Sequence, residues 1–194
     1  MEHLETSFLI RITMKALRLT AVSLLLCGVV YVTLVYCAAQ LWDRGRAQGS
    51  LIVDEYGVVV GSRLIGQNFA SERYFHGRVS ACGYDARASC GSNYGPSHPK
   101  LLQRVKEVTE NYHADDKHLV PCDLVSASGS GLDPDISEAA AMYQVERVAR
   151  ARGMSEEELR QVIERVKRSL YGEFGGDYLV NVLELNLALD RVKP

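Results

Sequence analysis

The stretch from Leu19 to Trp42 constrains this chain more than any other, because it contains no charged side chain. A helix of about 20 apolar residues is enough to cross the hydrocarbon core of a bilayer, and a buried helix of a soluble domain seldom needs so long an uncharged run. Trp42 stands at the end of the stretch, where an aromatic side chain suits the membrane–water interface. The sequence therefore predicts one N-terminal transmembrane helix over residues 19–42.

The main alternative to a retained anchor is a secretory signal that is cleaved. The small residues Ala38 and Ala39 leave cleavage open near the end of the stretch. The core of a signal peptide is, however, about 7–15 residues long. The length of the uncharged run therefore favours a retained anchor.

The flanking charges predict the orientation. The basic residues Arg11, Lys15 and Arg18 precede the stretch, whereas the residues that follow it include Arg44 and Arg46, offset by Asp43. The bias is slight, but long C-terminal domains cross the membrane largely regardless of their charge. We expect residues 1–18 to be a cytoplasmic segment and residues 43–194 to form an extracytoplasmic soluble domain. Met14 is a second possible start, which would make residues 1–13 an upstream extension.

After the uncharged stretch, segments with the hydrophobic period of a strand alternate with segments that have the period of a helix. Two strand-like runs flank a turn at Asp54–Gly57, and three amphipathic helices are expected in the middle of the domain. The predicted elements are strands over residues 51–53 and 58–60, helices over 99–112, 137–153 and from Ser155 to Leu170, and a strand turning into a short helix over 178–189. The expected fold class is α+β (mixed α/β), with one domain and a formal net charge of −2 that gives no reason to expect nucleic acid.

The region from Ser71 to Pro99 shows little periodicity and is rich in Gly, Ser and Tyr. So long an irregular stretch inside a compact domain is usually functional. Its tyrosines could serve as anchors for a protein partner, since aromatic side chains often dominate interfaces. Arg78 and Asp85 are close enough in sequence to form an ion pair.

The Ser/Gly run over residues 126–131 raises the question of enzymatic chemistry. A phosphate loop would end in Gly-Lys-Ser/Thr, but Leu132 and Asp133 follow Gly131. A nucleophile elbow centred on Ser130 would need a glycine where Ser128 stands. A tight loop before a capped helix is therefore the favoured interpretation, and a hydrolase at Ser128 or Ser130 the alternative. The histidines are scattered, and His113 and His118 are spaced as in a solvated loop rather than a metal site.

Three cysteines, Cys82, Cys90 and Cys122, follow the uncharged stretch. The segment between Cys82 and Cys90 is short and rich in small residues, so a disulfide between them is sterically possible in an oxidising compartment. We predict a Cys82–Cys90 disulfide and a free Cys122. No Cys-x-x-Cys motif occurs, so the sequence indicates neither a zinc ribbon nor a thioredoxin-like site.

Six ordered segments resemble one known family. They are GSRLIGQNF (61–69), YFHGRVSA (74–81), GSNYGPSHPKL (91–101), DLVSASGSGLDPDIS (123–137), QVERVARARG (144–153) and VNVLELNLALD (180–190). Together with the single N-terminal span, they resemble the C subunit of Kdp-type potassium-transporting ATPases. The chain departs from the family pattern at Val79 and Glu138, where the family commonly has proline, at His98, and in having Cys82 and Cys90.

The resemblance implies a subunit without enzymatic activity of its own, in the inner membrane of a bacterium or archaeon. Its implied partners are a channel-like potassium-translocating subunit, a P-type ATPase subunit phosphorylated on aspartate, and a small single-span subunit. The family has been described as a catalytic chaperone that raises the ATP affinity of the pump, with the glutamine matching Gln144 as a nucleotide contact. No tightly bound cofactor is implied, and ATP would come through the complex.

The predicted orientation conflicts with that description, because an extracytoplasmic Gln144 cannot meet cytoplasmic ATP. The preferred expectation is therefore an assembly role. The span would pack on partner helices through small residues such as Gly28, and the outer domain would brace the potassium entrance of the translocating subunit.

Overall fold

The computed structural model describes residues 2–54, 56–112, 119–172 and 175–192, without the side chains of residues 2–6. The predicted His113–His118 loop lies outside the described residues. The chain divides into two units, Met1–Ser50 and Leu51–Pro194. Both helices and strands are present, as the α+β prediction requires.

The first unit is helical. It contains α1 (Glu2–Ser23), a π-helical segment (Leu24–Val30), α2 (Tyr31–Trp42) and the short α3 (Arg44–Ala47). Among the described residues, the continuous run Ser7–Trp42 is the one helix long and apolar enough to cross a membrane, with a mean hydropathy of 2.2 over its most apolar window. The span predicted at residues 19–42 lies within it. Asp43 has a non-helical backbone and caps α3 by accepting a hydrogen bond from the Arg46 N–H.

The second unit begins with a hairpin and ends with a strand and a helix. Its strands are β1 (Leu51–Val53), β2 (Val59–Ser62), β3 (Asp135–Ser137), β4 (Arg168–Ser169) and β5 (Tyr178–Asn181). Its helices are α4 (Pro99–Asn111), α5 (Cys122–Val125), α6 (Glu138–Tyr143), α7 (Val145–Arg152), α8 (Glu156–Val166) and α9 (Val182–Arg191). Strands β1 and β2 pair antiparallel, and β3, β5 and β4 form a second antiparallel sheet in that order. The predicted hairpin and the final strand-to-helix turn are confirmed.

Helices α5, α6, α8 and α9 pack against the three-stranded sheet, and α7 packs against α6 and α8, to form the core of the second unit. Its buried apolar side chains are Phe75, Leu124, Ile136, Ala140, Ala141, Val145, Val148, Ala149, Leu159, Val162, Ile163, Val180, Val182, Leu185 and Leu189. Ser155 and Glu158 form a capping box that starts α8 at the position where a helix was predicted to begin. The helix predicted from Ser155 to Leu170 ends earlier, at Val166, and Leu170 follows β4 and is exposed.

The helix predicted from Ser137 to Gly153 is interrupted at Gln144. Ser137 caps α6 as expected, and Gly153, in the left-handed region at a φ of 68°, ends α7. Between the two helices, the Gln144 N–H donates to the Ala141 carbonyl, three residues back, so the chain makes a tighter turn there. The single long helix was therefore a wrong prediction, and the break falls at the residue singled out for function.

Candidate functional site

Gln144 is completely buried, and its side-chain amide is fully engaged. Its Oε1 accepts from the His76 N–H at 2.8 Å and from Arg147 Nη2 at 2.7 Å. Its Nε2 donates to the carbonyls of His76 at 3.0 Å and Ala140 at 3.3 Å. A glutamine amide offers two acceptor and two donor positions, so all four are used inside the protein. The amide could contact nucleotide only by giving up some of these bonds.

Two buried asparagines act in the same way, one on the residue before His76 and one on a separate segment. Asn186 accepts from the Phe75 N–H at 2.9 Å and donates to the Phe75 carbonyl at 3.0 Å. Asn181 donates to the Arg63 carbonyl at 3.0 Å and caps α9 by accepting from the Glu184 N–H. Irregular backbone inside a protein must have its polar groups satisfied. Here side-chain amides replace the strand that would otherwise pair with residues 75 and 76.

Two arginines complete the hold on Ser71–Arg78, which we call the anchored segment. Arg147 donates to the carbonyls of Glu72 at 2.9 Å and Tyr74 at 3.0 Å. Arg152 donates to the Arg73 carbonyl at 2.6 Å and also binds Asp190 at 2.8 Å. The Arg152 guanidinium lies over the Tyr74 ring as well. The first part of the irregular region is therefore fixed to α7 and α9.

The next part of the irregular region packs on the Ser/Gly loop. We call residues 79–90 and 126–131 the loop pair. Val79 pairs with Ala127 in a parallel bridge, and the Val79 carbonyl accepts from the Ser128 N–H at 2.9 Å. The Ser80 hydroxyl donates to the Gly131 carbonyl at 2.6 Å, and the Cys90 N–H donates to the Ser130 carbonyl at 2.9 Å. The Ser/Gly loop is thus one side of a loop-to-loop contact.

The hydroxyls considered for a hydrolase have structural partners. Ser128 Oγ lies 3.1 Å from Ser130 Oγ and accepts from the Gly131 N–H at 3.0 Å. Ser130 Oγ accepts from the Leu132 N–H at 3.1 Å. Among the described residues, neither hydroxyl has a histidine or carboxylate as a hydrogen-bond partner, and no group of three or more metal-ligating side chains is placed to hold a metal ion. Activation of either serine would need a general base that the described part of the chain does not bring to it.

The ion pair predicted between Arg78 and Asp85 is wrong. Arg78 binds Asp133 at 2.9 Å, whereas Asp85 binds Arg87 at 2.8 Å. Asp85 and Arg87 are only two residues apart, so Asp85 is satisfied locally, while Arg78 reaches Asp133, just after the Ser/Gly loop. The Tyr84 hydroxyl donates to the Arg78 carbonyl, which holds the same segment.

A cleft of about 450 Å³ lies between the anchored segment, the loop pair and α4. Its walls include His76, Arg78, Tyr84, Tyr112 and Arg147. Burial, reinforced by the Arg147 charge, lowers the pKa of His76, and burial raises the pKa values of Tyr84 and Tyr112. All three groups are therefore held in their neutral forms. The cleft mixes apolar and polar walls and is large enough for a few side chains of a partner.

The hairpin carries a different kind of surface. Five of its apolar side chains are each more than half exposed: Leu51, Val53, Tyr56, Val58 and Val59. We call them the hairpin patch. Val53 and Val59 are register partners across the two strands. Exposed apolar patches of this kind commonly mark contacts with proteins or membranes.

The predicted disulfide is not formed in the structure. Cys82, Cys90 and Cys122 are all free thiols, and Cys90 and Cys122 are exposed. Cys82 Sγ lies 3.6 Å from the Gly131 carbonyl oxygen and 3.5 Å from Ser80 Oγ. The disulfide stays a prediction for an oxidising compartment.

The departures from the family pattern have local explanations. Glu138, in place of proline, accepts a hydrogen bond from Lys167 Nζ at 2.9 Å. His98 caps α4 by accepting from the Lys100 N–H and stacks on Tyr94 with ring centroids 4.4 Å apart.

Comparison with known proteins agrees with the family resemblance and extends it over almost the whole chain. The family model described as "KdpC: K+-transporting ATPase, c chain" matches residues 13–191. A "Potassium-transporting ATPase KdpC subunit" of Janthinobacterium sp. (strain Marseille) is 49% identical over 182 residues, covering 91% of this chain and 96% of that protein. Proteins of the same description from Bacillus cereus (strain Q1) and Bacillus mycoides (strain KBAB4) are 46% and 45% identical, covering 91% of this chain and 93% of each relative.

The matched region includes most of the apolar helix and all of the hairpin, the anchored segment, the loop pair and α9. Both the family match and the identity to the relatives extend over far more than any single motif. The chain belongs to the KdpC family, the c chain of K+-transporting ATPases.

Proposed function

We propose that the chain is a non-enzymatic accessory subunit that holds the potassium-transporting complex together. Its apolar helix anchors it in the membrane, and its second unit docks on partner subunits from outside the cell membrane. The specific partners proposed are the potassium-translocating subunit, the P-type ATPase subunit and the small single-span subunit. The observation that carries the proposal is the hairpin patch, an apolar surface without cover from the described residues.

The composition of the helix supports the membrane part of the proposal. Side chains of the helix are exposed along its whole described length, and its most apolar window has none of its residues buried. Gly28 lies in the π-helical segment, and a Cβ at this position would meet no other atom within 4 Å. Small residues let the backbones of membrane helices approach closely. Gly28, Ala38 and Ala39 are the proposed contact points for partner helices.

The charges around the helix support an N-terminus in the cytoplasm. Three basic residues precede the apolar run, whereas after it Arg46 is paired with Asp43 at 3.2 Å. This pairing reduces the free positive charge on the C-terminal side. Under this orientation, the anchored segment and the cleft face the compartment from which potassium enters. We propose that they brace the entrance of the translocating subunit.

The assembled complex offers the direct test. Deleting residues 43–194 should abolish potassium-dependent ATP hydrolysis and the co-purification of the partner subunits. A full-length chain carrying Leu102→Gln, at an exposed position on α4, is the control and should keep both. Unchanged potassium-dependent hydrolysis after the deletion would overturn the proposal.

The competing function is that of a chaperone that raises the ATP affinity of the pump through Gln144. The two functions differ in what Gln144→Ala would change. A structural role predicts a less stable subunit and an unchanged apparent KM for ATP in the complexes that still assemble. A nucleotide contact predicts a raised KM with normal stability. A raised KM in a variant as stable as the parent would favour the chaperone.

A further inference from the structure

Another concave surface of the second unit lies where the hairpin, the end of α8 and α9 meet. It encloses about 330 Å³, and its lining includes Arg63, Arg165 and Arg191 together with the carboxylate of Glu184. All three arginines are exposed. We call this surface the basic groove. Its lining carries three positive charges and one negative charge, in a chain whose formal net charge is −2.

One positive charge of the basic groove has a carboxylate partner, and the other two do not. Arg63 Nε lies 2.5 Å from the Glu184 carboxylate. Arg165 Nε donates instead to the Gln161 carbonyl at 3.2 Å. Among the residues that the structure describes, no carboxylate forms an ion pair with Arg165 or Arg191. Two guanidinium groups therefore line the groove with their charge unmatched by the described part of the chain.

The ends of the two helices explain part of this arrangement. Arg165 is in the last turn of α8 and Arg191 in the last turn of α9, where a positive charge is favourable. The last turn of α7 carries Arg150 in the same way, but Arg150 is paired with Glu146 at 2.6 Å. The helix ends therefore account for the presence of basic residues, but not for two of them lining one groove without a carboxylate.

The rest of the lining is apolar. It consists of half-buried side chains, two of which also pack against the core: Ile52, Val166, Leu187 and Ala188. A phosphate or a lipid headgroup is polar throughout and would leave this apolar floor uncovered. A protein segment with a carboxylate between apolar side chains matches both parts of the lining. Guanidinium groups bind carboxylates through paired hydrogen bonds, and the apolar neighbours would cover the floor.

We propose that the basic groove binds an acidic segment of a partner subunit, with a glutamate or aspartate of that segment bonded by Arg165 and Arg191. The inference deepens the proposed function, because it names the chemistry that a partner presents to this chain. The groove is a contact distinct from the hairpin patch. Ile52 lines the groove, whereas its neighbour Leu51 belongs to the patch, and successive side chains of a strand point to opposite faces.

Zero-length cross-linking of the purified complex tests the proposal. The variants Arg165→Lys and Arg191→Lys keep the positive charge and place a primary amine in the groove. A carbodiimide joins an amine only to a carboxylate in direct contact with it. We expect mass spectrometry to find a peptide that joins position 165 or 191 to a glutamate or aspartate of a partner subunit. The control Arg150→Lys, which places an amine at the end of α7 and outside the groove, should form no such link.

The contradicting result is a complex that co-purifies but has no link from position 165 or 191 to a partner subunit. Links from other lysines of the second unit to the partners would then show that the domain docks, but not through the groove. Failure of the proposed function is a separate result, which is unchanged potassium-dependent hydrolysis after deletion of residues 43–194.

Removal of the two charges distinguishes a protein segment from a lipid. In phosphatidylcholine nanodiscs, we expect Arg165→Gln/Arg191→Gln to retain several-fold fewer partner subunits than the charge-matched control Arg150→Gln/Arg160→Gln, which alters exposed arginines on other helix faces. The purified chains of both variants should be equally stable. An effect that appears only when phosphatidylglycerol is added would assign the groove to anionic headgroups and overturn the proposal, as would equal retention by the two variants.

Discussion

The anchored segment and the hairpin patch lie on the same domain, but they are held in opposite ways. The anchored segment has no strand partner, yet its backbone is bonded by Gln144, Asn186 and Arg147 from helices behind it. The two strands of the hairpin pair with each other, with one irregularity between Ile52 and Val53, but the hairpin leaves five apolar side chains exposed. The first region therefore contributes to the stability of the domain, whereas the second leaves an exposed apolar surface, which is the basis of the docking proposed above.

Removal of the Gln144 amide should have the largest effect on stability. Gln144→Ala leaves the His76 N–H and carbonyl without their partners, and each unpaired buried group costs about 1–3 kcal/mol. We expect the second unit to lose about 2–5 kcal/mol in chemical denaturation. The control Gln103→Ala removes an exposed amide on α4, and it should change stability by no more than about 0.5 kcal/mol. Equal losses in both variants would contradict the anchoring role.

Gly131→Ala should have the next largest effect. Gly131 adopts a φ of 69°, and its missing Cβ leaves room for the Cys90 carbonyl as well as Cys82 Sγ. An alanine there combines backbone strain with displacement of a loop, so we expect a loss of about 1–3 kcal/mol. Gly83→Ala is the matched control, because Gly83 has a similar positive φ of 62° but a Cβ at that position meets nothing within 4 Å. Thermal unfolding of the two variants distinguishes close packing from a general need for glycine.

Substitutions in the hairpin patch should weaken assembly and leave the stability of the domain unchanged. The double variant Val53→Thr/Val59→Thr keeps β-branched side chains on both strands, so the hairpin should remain folded. Because both positions are exposed, we expect a change in unfolding free energy within about 0.5 kcal/mol, together with weaker co-purification of partner subunits. A variant that is stable and assembles like the parent would show that the patch is not a docking surface.

A smaller effect concerns pH. Because burial lowers the pKa of His76, the folded state takes up its proton only below the pH at which the unfolded chain does, about 6.5. The contribution of this residue to stability is therefore complete above that pH and is lost as the pH falls below it. We expect His76→Gln to flatten the decline in unfolding free energy between about pH 7 and pH 5. If the variant shows the same decline as the parent, other titratable groups cause the loss of stability.

Features that depend on neighbouring residues could be predicted from the sequence. The capping box at Ser155, the hairpin turn and the helix that follows Pro99 all result from side chains within a few positions of each other. The uncharged stretch likewise predicted the apolar helix from composition alone. The functional assignment came from the family resemblance, because these local patterns predict structure and not function.

The contacts that build the site join residues far apart in the chain, so periodicity could not reveal them. Asn186 bonds Phe75 across 111 positions, and Gln144 bonds His76 across 68. A sequence shows that an amide lies on an apolar helix face, but it does not show which backbone the amide will satisfy. For the same reason Arg78 was assigned to the nearby Asp85 rather than to Asp133. A polar residue among buried positions, as at Gln144 and Asn186, is the one signal that could have indicated an anchor.

The sidedness of the second unit tests the central claim most directly. The measurement uses a chain produced without partner subunits and carrying Cys82→Ser and Cys90→Ser, so that Cys122 is its only cysteine outside the apolar helix. Because Cys122 is exposed, a membrane-impermeant maleimide added to intact cells, or to spheroplasts where an outer membrane is present, should label it. Loss of labelling in the additional Cys122→Ser variant would confirm the labelled position. Labelling of Cys122 only after lysis would place the domain in the cytoplasm and contradict docking from outside.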